Sequence, residues 1–171
     1  MTSKVFSKRF PVMPVNLTSA VSTFIFAMMY GMIEHTLLAS PIGINVLVYP
    51  LDIHLSGQLY FYHVIMLILA MLISFNPFFD KLIFGINRTV KVQGILWGTG
   101  NILNFIWLED LFYWILFGEW PKDVMTPLHI SIYGMVWWYP VLLTLASFLY
   151  VMTARSIRRM VAAKQPLERK L

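Results

Sequence analysis

Apolar residues run in four long blocks along this chain, over about residues 17–39, 57–75, 92–117 and 128–153. Each block approaches or exceeds the roughly 20 helical residues that cross a hydrocarbon core. The pattern predicts an all-α fold, a four-helix bundle integral to a membrane. It is one domain of four spans, with a basic tail at 154–171. The first block has a basic start and ends in "LLAS". Its apolar run is too long for a signal peptide, so it is read as a retained span.

Composition sharpens this picture. Of 171 residues, 58% are hydrophobic and 12% charged, whereas soluble domains carry about 25% charged residues. So few polar side chains cannot wrap so apolar a core in water. The length leaves no room for a separate soluble module. The absence of cysteine excludes disulfides and thiolate metal sites.

Charge then orients the spans. Lys4, Lys8 and Arg9 precede the first; Lys81, Arg88 and Lys91 lie between the second and third; Arg155, Arg158, Arg159, Lys164, Arg169 and Lys170 follow the fourth. Twelve of the thirteen cations therefore share one side, and only Lys122 falls on the other. The positive-inside rule puts both termini in the cytoplasm of a multi-pass protein of the plasma or inner membrane. The basic tail is read as only setting topology, with contact to anionic headgroups as the alternative; it is too short to argue for nucleic acid. The patterns "NLT" at Asn16 and "NRT" at Asn87 fall on the cytoplasmic face and are not read as glycosylation sites.

Two outer loops follow. Residues 40–56, "SPIGINVLVYPLDIHLS", are apolar for a loop and are expected to fold against the outer mouth of the bundle, with His54 over it. Residues 118–127 end in Thr126 and Pro127, an N-cap and first-turn proline that would start the fourth span sharply.

Candidate chemistry lies in the outer half. Glu109 and Asp110 interrupt "NILNFIWLEDLFYWILFG", about 10–12 Å from the outer end of span three. Glu34 and His35 sit near the outer end of span one, His63 in the first turns of span two and His129 in the first turn of span four. Every span contributes at least one. No Lys or Arg shares the depth of the carboxylates, so histidine, a metal ion or a proton must offset them. Carboxylate with imidazole is a ligand set for transition metals, and helix bundles build such sites from inward-facing side chains. The expectation is a centre of iron, copper or zinc held by some of Glu34, His35, His63, Glu109, Asp110 and His129. It would serve an oxidoreductase or hydrolase acting on an apolar substrate from the bilayer.

Rival readings use the same residues. A hydrogen-bonded polar network suits a non-catalytic subunit of a larger membrane redox complex, packed against partner subunits or further copies of itself. A b-type cytochrome would use two of His35, His63 and His129 as axial ligands, although haem leaves the acids without a role. Met28, Met32 and His35 fall on one stripe that would suit copper, but in a chain with eleven Met these are read as gap-filling side chains. Trp137 and Trp138, in "MVWWYP", are placed inside span four, where they could stack on a ring cofactor, with a kink expected at Pro140. Asn101 and Asn104 are expected to bond between helices, and Gly94 and Gly98 to allow close helix approach.

Overall fold

The first helix, α1 (Val12–Ala39), turns its small and polar residues inward and its large apolar residues outward. Asn16, Ser19, Thr23, Ala27 and Tyr30 are buried, at the three- and four-residue steps of one helix face. Leu17, Val21, Phe24, Ile25, Met29 and Met32 are exposed, Leu17 by 65%. A helix surrounded by water shows the reverse distribution. Small and polar residues between helices, with bulky apolar ones outside, are the arrangement of helix packing in lipid.

The computed structural model describes residues 12–39, 50–54, 58–79, 88–116, 118, 131–132 and 135–168. After α1 come two paired strands, β1 (Pro50–His54) and β2 (Gln58–Tyr60), leading into α2 (Phe61–Phe75) and a 3₁₀ turn at Asn76–Phe78. The helix α3 (Arg88–Leu116) follows. A second hairpin, β3 (Ser131–Ile132) with β4 (Met135–Val136), precedes the last helix, α4 (Trp138–Glu168).

Side-chain pairings give the helix directions. Trp97 donates to the Asn16 carbonyl (3.0 Å) and Asn101 to the Ser19 hydroxyl (2.6 Å), while Gly31 abuts Glu109, so α1 and α3 run parallel. Tyr62 meets Glu34 and Ser74 meets Thr23, so α2 runs against α1. Gln93 meets Ser156 and Asn101 meets Tyr150, so α4 runs against α3. The helices therefore alternate in direction. α3 is central: α1, α2 and α4 all pack along it.

Two layers hold the bundle. One is apolar, built on Ala27, Tyr30, Ala70, Phe105 and Leu108, with Phe26 stacked on Phe105 at 5.6 Å. The other is polar. Trp107 donates to Asn104 Oδ1, Asn104 to the Tyr150 hydroxyl, Tyr150 to Asn101 Oδ1, and Asn101 to the Ser19 hydroxyl and the Ser74 carbonyl. Each donor points toward the next residue, and Asn101 is fully buried. As expected, the two asparagines bond between helices. Gly94 packs under Phe78, and a methyl group at Gly98 would run into the Phe75 ring.

Several boundaries differ from the sequence pattern. The fourth helix starts at Trp138, ten residues after 128, because residues 131–132 and 135–136 pair as strands. Pro140 is thus the third helical residue, where its missing N–H costs nothing, and no kink is required of it. Thr126 and Pro127 lie outside the described residues. The tail is not separate, since α4 continues unbroken to Glu168. The second helix starts at Phe61 rather than 57, as β1 and β2 use the intervening backbone hydrogen bonds. Among the described residues two helical segments, Asn16–Thr36 and Trp138–Arg159, are long and apolar enough to cross a membrane, and Tyr62–Phe75 is a shorter apolar helix.

Candidate functional site

Consecutive residues on a helix point about 100° apart, and this decides what each acid on α3 can reach. Glu109 faces α1 and α2. Asp110 faces the start of α4, where the Tyr139 hydroxyl donates to Oδ2. The same rule divides the pair on α1. Glu34 turns toward α2 and α3, while the His35 ring stands edge-on to Tyr113 with centroids 6.2 Å apart.

Glu34 is the meeting point. Its Oε1 accepts a hydrogen bond from the Tyr62 hydroxyl at 2.8 Å and lies 3.5 Å from His63 Nε2. The Tyr62 and His63 rings stack at 4.1 Å, so the first turn of α2 presents both groups together. On its other side, Glu34 comes within hydrogen-bonding reach of Glu109. The Oε2 atom of Glu109 is enclosed and has no hydrogen-bond partner. Tyr30, buried one helical turn below Glu34, is part of the apolar layer that floors the site.

Close backbone approach makes this meeting possible. Gly31 lies where α1 crosses α3, and a Cβ there would stand 2.9 Å from the Glu109 carbonyl oxygen and 2.9 Å from the Tyr113 nitrogen. Only glycine lets the two helices come this near, and Glu34 is one turn beyond it.

Of the residues expected to gather, Glu34, His63 and Glu109 do so. Asp110 and His35 are at the same end of the bundle, directed elsewhere. His129 lies outside the described residues. For His54 the structure describes the backbone, paired with Gln58 at the end of β1. Among the described residues, no three His, Asp or Glu side chains stand close enough to hold a metal ion. Met28 and Met32 are exposed, so neither fills a gap between the helices. Trp137 is in the turn before α4 and Trp138 is its first residue, edge-on to Tyr139 at 4.6 Å. Both stand at the helix entrance rather than deep in a span.

Tyrosine is the hydrogen-bond partner of two of the acids. Tyr62 and Tyr139 each give a phenolic donor to a carboxylate, a fourth way to stabilise an acid beside imidazole, metal and proton. The signal available was a tyrosine near each helix end at the depth of an acid. Compared with known protein families, curated proteins and solved structures, the chain matches none.

Proposed function

We propose that this chain is a multi-pass membrane protein with four spans and both termini cytoplasmic. In its outer half Glu34 and Glu109 form an acid–base pair, assisted by His63 and Tyr62, that acts on an apolar substrate entering from the bilayer. The observation that carries this reading is the meeting of two carboxyls from different helices with an imidazole beside them. Two carboxylates in contact within apolar surroundings do not both carry charge; a proton or another cation lies between them. A carboxyl pair sharing one proton can give it up and take it back, and an imidazole in reach supplies the route for it. The outward apolar faces of α1 and α4, and the two segments long enough to cross a membrane, support the location.

One observation favours a second reading, in which the cation is iron, copper or zinc. Glu109 Oε2, enclosed without a partner, offers a ligand atom beside Glu34 and His63. That reading requires the three groups to draw closer than they stand here.

Metal analysis of the purified chain, combined with infrared spectroscopy of its carboxyl groups, tests both. The expected result is metal-free protein with a protonated-carboxyl band that disappears in Glu34→Gln and in Glu109→Gln. One metal ion per chain, lost in those same variants, would replace the acid–base reading with the metal one. A chain that purifies only with other subunits, and assembles equally well as either variant, would make the cluster a structural network.

A further inference from the structure

On the side of α4 turned away from α3, the exposed residues change character at one level. Val141, Phe148, Val151 and Met152 are exposed and apolar, Phe148 by 59%. From the next turn on, Arg155, Arg158 and Arg159 are exposed on that face. The same change occurs on α3, read from the opposite direction. Val92 and Ile95 are exposed, Lys91 comes immediately before them, and Arg88 opens the helix.

A hydrogen bond from Gln93 Nε2 to Ser156 Oγ, at 2.9 Å, brings these two transitions to within about one helical turn of each other. Two antiparallel helices with unrelated sequences thus pass from apolar to basic within one narrow layer. Setting topology requires cations on this side of the membrane, but not on one level and facing outward. A plane where hydrocarbon gives way to phosphate requires both. Length agrees. The 31 residues of α4 span about 46 Å at ~1.5 Å per residue, against ~30 Å of hydrocarbon. Its last turns therefore extend through the headgroup layer. The carboxylates whose side chains are described, Glu34, Glu109 and Asp110, all lie toward the opposite end, so none competes for these cations.

We propose that Lys91, Arg155, Arg158 and Arg159 form a docking surface for anionic lipid headgroups, resting on the membrane reading above and independent of the acid–base site. The guanidinium forks suit phosphate oxygens, and Lys91 adds a point charge from the neighbouring helix. Ser156 faces α3, which leaves the arginines directed to the lipid side.

The test uses the full chain reconstituted in phosphatidylcholine bilayers containing a minor fraction of phosphatidylglycerol. Immobilisation of a spin-labelled phosphatidylglycerol is compared with that of spin-labelled phosphatidylcholine. The anionic lipid should be held preferentially, and the preference should fall as salt is added. Arg158→Gln should reduce it by up to about fivefold, equivalent to the ~1 kcal/mol that one cation contributes near an anionic surface. Replacing all three arginines with glutamine should abolish it, and replacing them with lysine should preserve most of it. Equal immobilisation of both lipids by the wild-type chain overturns the proposal, as does a preference that survives in the glutamine variant. A chain released from the bilayer by alkaline extraction overturns the membrane reading itself, a separate outcome from an inserted chain without lipid preference.

Discussion

Tyr139 donates its hydroxyl hydrogen to Asp110, joining the first turn of α4 to the C-terminal third of α3. This one bond carries Asp110 away from the acid cluster although Glu109, its neighbour in sequence, belongs to it. Tyr139 is itself buried, and its ring lies 6.1 Å from that of Trp107. Substituting Phe for Tyr139 keeps the ring packing and leaves Asp110 without its phenolic donor. Stability should fall by about 1–3 kcal/mol, the cost of removing one hydrogen bond to a partly buried carboxyl group. Adding Asp110→Asn should recover part of the loss. Unfolding midpoints of both single variants and the double variant measure the coupling, and strictly additive losses would refute it.

Gly31→Ala should separate α1 from α3, because the added methyl would stand 2.9 Å from two backbone atoms that cannot rotate away. Overpacking of this kind costs about 1–3 kcal/mol. The specific sign is a longer Glu34–Glu109 distance, read as a change in the carboxyl infrared spectrum beyond the drop in melting temperature. An unchanged spectrum would mean that the glycine does not position the pair.

Asn101→Leu should be the most destabilising change in the polar layer. It removes the acceptor of Tyr150 and the donor of Ser19 and Ser74 at a position with no exposure. The loss should reach about 1–3 kcal/mol, and it should exceed that of Ser19→Ala. Equilibrium unfolding in mild detergent ranks the two, and a larger effect of Ser19→Ala would be the wrong order.

Glu109→Gln should leave the fold as stable as wild type or raise it by up to about 1 kcal/mol, since an amide placed against Glu34 supplies a hydrogen bond where a second acid was. Glu109→Leu gives Glu34 no such donor and should be the less stable of the two. Melting curves compare them directly. A glutamine variant less stable than the leucine variant would show that the two side chains do not meet.

Why some of this could be read from residue order and some could not has a physical basis. Long apolar blocks locate α1, α2 and α3 because such runs favour helices that pack side by side, and the ends shift only by a few residues. The start of α4 was hidden because "LHISIYGMVWWY" is equally apolar as helix or strand, and periodicity does not separate the two. Thr126 and Pro127 drew the expected start forward to residue 128. Glu34, His63 and Glu109 could be nominated from depth and charge alone. Which of Glu109 and Asp110 would face them depended on the rotation of α3. That rotation follows from Gly31, Gly94 and Gly98 packing closely against their neighbours, a fact of three-dimensional contact.

The donor series from Trp107 through Asn104, Tyr150 and Asn101 to Ser19 has an electrical consequence. Hydroxyl groups can pass a proton along a line of hydrogen bonds, taking one in as they release another. Amide and indole N–H groups keep theirs, and such groups occupy three of the first four positions. The line that laces the helices together is therefore an insulator.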